Sequence, residues 1–187
     1  LIEAILSKHQ RETPMASKQR ARNHALVRAT KQGSLADIQS LLDRHADIDT
    51  RDRSNHTPLH HASMKGDHQC IELLLDRHAD INARGCNSST ALHHASSNGH
   101  HQCIEMLLVS GADVDARANN NYTPLHRASW KGHHQCIELL LAYGPDINAE
   151  DIHGQTPLHY AASRGDHQCV EMLLDRQADI DARDHSG

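Results

Sequence analysis

Apolar positions return along this chain in one fixed arrangement. Cys70, Ile71, Leu74 and Leu75 are followed by Cys103, Ile104, Leu107 and Leu108, then Cys136, Ile137, Leu140 and Leu141, then Cys169, Val170, Leu173 and Leu174, each set 33 residues after the last. That spacing lies on one face of an α-helix, with Glu72 and Asp76 on the other. Upstream of each set stands a second short run, opened by Thr57-Pro58-Leu59-His60, Thr90-Ala91-Leu92-His93, Thr123-Pro124-Leu125-His126 and Thr156-Pro157-Leu158-His159, and stopped at Gly66, Gly99, Gly132 and Gly165. Thr suits the N-cap, Pro the first helical position and Gly the residue just past the end. The pattern predicts a helix over 57–66 and another from 67 or 68 to about 77, with copies in each later unit. Ala79 to Asn82 is expected to be extended. A tight turn follows in each unit, marked by Ser54-Asn55, Asn87-Ser88, Asn120-Asn121 and His153-Gly154, where a left-handed residue is expected.

A fixed period of this size is the signature of a solenoid, in which each unit buries its apolar face against the next. Leu26, Ala29, Gly33, Ile38, Leu41 and Leu42 lie one period before Leu59, Ala62, Gly66, Ile71, Leu74 and Leu75, but Thr-Pro is missing and Asp37 replaces the Cys. That degenerate unit reads as a terminal cap. The domain reading is therefore a repeat array over 24–187, divided into 24–56, 57–89, 90–122, 123–155 and 156–187. Residues 1–23 flank it, with a short helix over Leu1 to Gln10 and a basic linker over Arg11 to Arg22. The chain begins at Leu, and Asp184 to Gly187 opens another turn, so a longer parent array is expected.

Composition narrows the core. Aromatic residues make up 2% of the chain and Phe is absent, so Leu, Ile, Ala, Val and Cys must fill the interior between closely packed helices. Four of the five Cys sit one unit apart. Packed helices lie about 8–10 Å apart and a disulfide needs Cα atoms within about 7 Å, so these thiols are expected to stay reduced, as in an intracellular setting. The longest apolar runs fall far short of the roughly 20 residues that span a bilayer, so no membrane insertion is expected. Residues 1–31 carry a charge of +5 within a total of −5, leaving the remainder acidic. An acidic repeat body argues against a nucleic-acid partner.

The run from Asp151-Ile152-His153-Gly154-Gln155-Thr156-Pro157-Leu158-His159-Tyr160-Ala161-Ala162 through Gly165, with Leu173-Leu174 and Ala178-Asp179-Ile180, resembles the ankyrin repeat. The likeness covers residues 24–187. It implies an all-α ankyrin-repeat solenoid of antiparallel helix pairs with projecting β-hairpin-like loops, binding other proteins through its concave face. It also implies a structural role for His60, His93, His126 and His159, which would bond backbone and link successive loops. The family's Gly after the second helix stands here at Gly111 and Gly144. His45, His78 and Gln177 hold that place in the other units, where a left-handed backbone carries some strain. Asn82 and Asn148 match sites that asparaginyl hydroxylases modify in some ankyrin repeats.

Histidine is the obvious chemical candidate, with 19 in the chain. A Zn²⁺ site needs three or four ligands at about 2.0–2.3 Å from one ion, and ladders spaced one unit apart do not supply them, so no metal site is expected. Asp67-His68, His100-His101, His133-His134 and Asp166-His167 read as solvated residues at second-helix starts. The repeated Cys lies on the apolar face as an inert small hydrophobe, while Cys86 sits in a turn as the exposed thiol. No nucleophile and base pair or phosphate-cradling Gly-rich loop appears, so neither catalytic residues nor a cofactor are expected.

Positions that packing fixes recur between units, so those that differ are free to specify a partner. The candidate partner-binding residues are Arg53, His56, His61, Met64 and Lys65; His94 and Asn98; Asn120, Tyr122, Arg127, Trp130 and Lys131; and His153, Tyr160 and Arg164. Trp130 is the only Trp and takes the place of Met64, Ser97 and Ser163, so it is not core. With Tyr122, Arg127 and Tyr160 it is the expected anchor. The expected function is a non-enzymatic interaction module for a protein or peptide, monomeric, cytoplasmic or nuclear, and part of a larger scaffold or adaptor. The flanking N-terminal helix would be a second contact. The alternative is a His-rich, pH- or metal-responsive binding protein.

Overall fold

The computed structural model describes residues 13–186. Ten α-helices stand in this span as five consecutive pairs: α1 (Pro14–Gln32) with α2 (Leu35–Asp43), α3 (Pro58–Lys65) with α4 (His68–Asp76), α5 (Ala91–Asn98) with α6 (His101–Val109), α7 (Pro124–Lys131) with α8 (His134–Ala142), and α9 (Pro157–Arg164) with α10 (His167–Leu174). No strand occurs among the described residues. Each first helix packs on the first helix of the next pair, and each second helix on the next second helix, giving two stacked layers. The first helices approach one another more closely. Their contact residues are small: Ala62 and Ser63, Ala95 and Ser96, Ala128 and Ser129, and Ala161 are all buried. Close packing on that side curves the stack toward the first helices, which therefore form the concave layer.

The core follows the 33-residue period. Leu59, Leu92 and Leu125 from the first helices meet Ile71, Ile104 and Ile137, and Leu74, Leu107 and Leu140, from the second, all with side chains withdrawn from solvent. Cys70, Cys103, Cys136 and Cys169 are free and buried. Burial pushes the thiols of Cys70 and Cys169 up to about 12 and those of Cys103 and Cys136 up to about 11. A protonated buried thiol is a weak nucleophile, as the apolar setting implied.

In the Thr-Pro-Leu-His segments, Thr57, Thr90, Thr123 and Thr156 are N-caps and each shares a capping box with the His three residues on. His replaces the usual Glu or Gln of that box. His60 Nδ1 accepts from the Thr57 backbone N–H at 3.2 Å, so the ring proton sits on Nε2. That nitrogen donates to the Ser89 carbonyl of the next loop at 3.0 Å. His93 and His126 repeat the tie to Tyr122 and Gln155 at 2.9 and 3.1 Å. Desolvation holds His60 and His93 at about 4 and lowers His126. All three are neutral scaffold residues at pH 7.

Two further ladders link the units. Arg51 Nη1 donates to the Arg84 carbonyl, Arg84 to that of Arg117, and Arg117 to that of Glu150. The side chains of Asp49, Asn82, Asp115 and Asn148 accept from the backbone N–H of Asp80, Asp113, Asp146 and Asp179 at 2.9–3.0 Å. Asn82 and Asn148 thus belong to the scaffold. The Asp146 bond follows Gly144-Pro145, so Pro145 leaves the local loop path intact. His45, His78 and Gln177 do adopt left-handed backbone, with φ of 62, 64 and 67°, as do Asn55, Asn87, Asn120 and Gly154 in the turns.

Two expectations need correction. The helix placed over Leu1 to Gln10 lies outside the described residues, but the basic linker over Arg11 to Arg22 does not stand: residues 14–22 are the first half of α1. Thr13 Oγ1 accepts from the Ala16 N–H, Pro14 opens the helix, and Gln19 and Arg22 donate to the carbonyls of His45 and Arg44. These polar contacts hold a helix whose first half has no apolar face to bury.

The second correction concerns the second-helix starts. Asp67 and Asp166 do cap α4 and α10, accepting from the N–H of Cys70 and Cys169. His100 and His133 make no side-chain cap. Their Nε2 atoms reach back 3.2 Å to the carbonyls of Met64 and Ser97 in the preceding unit. Each ring lies over the glycine ending that unit's first helix, where an added Cβ would meet His100 Nδ1 at 2.6 Å (Gly66) or His133 Nδ1 at 2.9 Å (Gly99). Gly111 has φ +91° but nothing within 4 Å of an added Cβ. Gly99→Ala and Gly111→Ala should each cost about 1–2 kcal/mol for the left-handed backbone, with about 1 kcal/mol more at Gly99 for displacing His133. Urea denaturation of the two variants checks the difference.

Candidate partner-binding surface

Tyr122 in the loop before α7, Arg127 and Trp130 on α7, and Tyr160 on α9 converge on the concave side. The Tyr122 and Tyr160 rings meet edge-on at 5.8 Å, Trp130 lies 6.4 Å from Tyr160, and the Arg127 guanidinium stands 4.5 Å above the Tyr122 ring. His126 of the scaffold ladder packs beneath, about 6 Å from both tyrosines. Tyr160 donates to Asp151 Oδ2 at 2.7 Å. The two phenol oxygens lie 3.0 Å apart, and since the Tyr160 proton goes to Asp151, Tyr122 donates within the pair. Burial and these hydroxyl contacts push the Tyr160 phenol above its ordinary range. Burial alone would raise the Asp151 carboxyl, but the Tyr160, Gln155 and His153 bonds bring it below its usual value. Trp130 keeps 46% of its surface exposed. Lys131 Nζ stands 5.2 Å above its ring, and Arg164 donates to its carbonyl.

The remaining candidates spread more widely. Arg53, Lys65, Asn98, Asn120, Lys131, His153 and Arg164 are exposed, and Met64 is half-buried. His61 and His94 are drawn inward instead. His61 is 9% exposed and bonds Asp52 Oδ2 at 2.9 Å, while His94 is half-buried with its Nε2 enclosed. They have little surface to offer a partner. The rings of His60 and His94 both flank His56, at centroid distances of 5.5 and 5.2 Å.

The two clusters occupy the same places two periods apart. His56 and Tyr122 are equivalent, as are His61 and Arg127, and His94 and Tyr160. A common backbone thus carries a histidine group between the second and third units and an aromatic-cationic group between the fourth and fifth. Asp52 and Asp151, equivalent and nine residues before His61 and Tyr160, were missed among the candidates. The signal was their replacement by Gly85 and Ala118 in the other units.

Metal geometry also departs from expectation. One ligand atom each from Asp52, His56 and His61, and likewise from His134, Asp166 and Cys169, lie within 4.8 Å of one another. Both sets form across one boundary between neighbouring units, and not along a ladder.

Charge separates by layer. The first helices α1, α3, α5, α7 and α9 contain no Asp or Glu and carry Lys31, Lys65, Arg127, Lys131 and Arg164 among their bases. The second helices contain no Lys or Arg and carry Glu72, Glu105, Glu138 and Glu171. The concave layer is cationic and the convex one anionic. No described helix is long and apolar enough to cross a membrane.

A family model for ankyrin repeats in three copies matches residues 26–118 and again 111–184. No curated protein matches the chain. With the fold and the repeated motifs in agreement with that match, the chain belongs to the ankyrin repeat family, whose members generally serve as protein–protein interaction modules.

Proposed function

We propose that the chain binds a protein or peptide through its concave layer and loop tips, without catalysing a reaction, as the recognition part of a scaffold or adaptor. The observation that carries this reading is the joining of the only Trp, two of the three Tyr and Arg127 into one patch at positions that vary between units. Rigid aromatics beside Arg are what interface anchors are made of. The cationic layer around them, with Lys131 and Arg164 adjoining Trp130, favours a segment that presents an apolar side chain among acidic ones.

Because Trp130 is half exposed and lies outside the buried core, Trp130→Ala should leave the fold intact. Binding to a captured partner should weaken by about 2 kcal/mol, roughly 30-fold. Arg127→Glu should slow association and reduce its dependence on salt. Unchanged affinity in calorimetry for both variants would move the interface away from this patch.

A further inference from the structure

The histidine cluster between the second and third units occupies the places that the aromatic patch holds two units later, but its chemistry points elsewhere. Asp52 Oδ1 accepts from the backbone N–H of Ser54 and His56 at 2.9 and 3.1 Å. The loop therefore fixes the carboxylate and turns Oδ2 toward α3. There Oδ2 meets His61 Nε2 at 2.9 Å and Lys31 Nζ at 3.0 Å. The His56 ring stands edge-on to His61, 5.6 Å between centroids. Its Nε2 is buried and has no hydrogen-bond partner among the described residues, an arrangement that costs about 1–3 kcal/mol if nothing satisfies it.

We infer that Asp52, His56 and His61 form a binding site for a borderline first-row divalent cation such as Zn²⁺. Two imidazoles and a carboxylate are a common donor set for such ions, which leave one position to water or another ligand. Bond lengths of about 2.0–2.2 Å place the ligand atoms of a tetrahedral site roughly 3.3 Å apart. The three groups already lie within 4.8 Å of one another, so small side-chain rotations close the site. The backbone bonds to Oδ1 supply the outer support that orients a ligating carboxylate.

The repeat provides an internal control. At the places of Asp52, His56 and His61 the later units have Gly85, Ser89 and His94, then Ala118, Tyr122 and Arg127, then Asp151, Gln155 and Tyr160. The fold forms with each of these sets, so packing does not require the Asp-His-His combination. The other convergent set reads differently. Asp166 caps α10 through Cys169 as Asp67 caps α4 through Cys70, and that thiol is held protonated by burial. That set is a helix cap with His134 paired to its carboxylate.

The whole chain, stripped with chelator, is titrated with ZnCl₂ by calorimetry at pH 7.5. One stoichiometric site is expected. His56→Ser installs the residue that the next unit carries and should weaken that site at least 30-fold while the circular dichroism spectrum is unchanged. Lys31→Met removes the ammonium that competes for Asp52 Oδ2 and should tighten Zn²⁺ several-fold, which scattered surface histidines would not show. Absence of a stoichiometric site, or a site indifferent to both substitutions, would overturn the assignment.

Discussion

Taken from pH 7.5 to pH 5 in metal-free buffer, the array is expected to lose about 6 kcal/mol of stability. Desolvation holds His60 and His93 at about 4 and His94 at about 3, while unfolded histidine titrates near 6.5. The charges around them do not cancel this. His60 faces Arg51, His56 and His61; His93 faces Arg127 and Arg84 with only Asp113 opposing; His94 faces His60, His56, His93 and His61. Between the two pKa values the unfolded chain binds protons that the folded chain refuses. Stability is therefore complete above pH 6.5 and falls as pH drops, by about 1.4 kcal/mol per pH unit for each histidine and about 4 kcal/mol for the three. Small domains have a net stability of only about 5–15 kcal/mol, so unfolding is expected near pH 5. The carboxylates held below their ordinary range add nothing in that window. Asp166 is held at about 2, where burial opposes and the His134 and Cys169 bonds prevail, so its contribution is lost only as pH falls below about 4. Urea midpoints measured at half-unit steps give the slope. A midpoint that stays level from pH 7.5 to 5.5 would show that these rings are charged in the folded state.

The repeat structure was legible because packing imposes it. Leu74 and its equivalents fill the core at a constant spacing, and Gly66, Gly99, Gly132 and Gly165 end helices in the left-handed conformation that only the periodic pattern could mark. The anchor patch was legible for the converse reason, since Trp130 broke the pattern at a place where packing made no demand. What stayed hidden lies between units. His100 has the local surroundings of an N-cap, and nothing in its own unit reveals that it reaches the carbonyl of Met64, 36 residues earlier. The arginine and Asp/Asn ladders are hidden similarly, because each bond runs from a polar side chain in one loop to backbone in the next.

The start of α1 was misread on composition. Met15 to Arg22 is polar and basic, and the helix is held there by hydrogen bonds to the turn at Arg44 and His45 and not by apolar burial. Thr13-Pro14 carried the same start signal as Thr57-Pro58, outside the 33-residue register. The Asp52 cluster escaped for a related reason. Equivalent positions lie 33 residues apart along the chain, whereas Asp52 and His61 meet at a separation of nine residues, across the boundary between the first and second units.

Substituting His93 by Ala should cost about 4 kcal/mol, against about 1 kcal/mol for the same change at His159. The two residues begin in the same way, each accepting from the N–H of its N-cap threonine at 3.2 Å. They differ at Nε2. In His93 it donates to the Tyr122 carbonyl at 2.9 Å within a ring only 1% exposed, whereas His159 is half-buried and its Nε2 has no hydrogen-bond partner among the described residues. His93→Ala therefore leaves the Thr90 N–H without a partner, at about 1–3 kcal/mol if it stays buried. It also removes one of the two bonds to the Tyr122 carbonyl, which keeps the Ala118 N–H, and adds a ring-sized cavity. His159→Ala removes a cap alone, worth about 1 kcal/mol. Urea denaturation of both variants measures the gap, and equal losses would mean that capping, and not the tie between loops, is what this histidine contributes. The carbonyl that His93 holds belongs to Tyr122, whose ring carries Arg127 and meets Tyr160. If that patch anchors the partner, His93→Ala should also weaken binding without removing a single contact to it, because the ladder sets where the variable side chains stand.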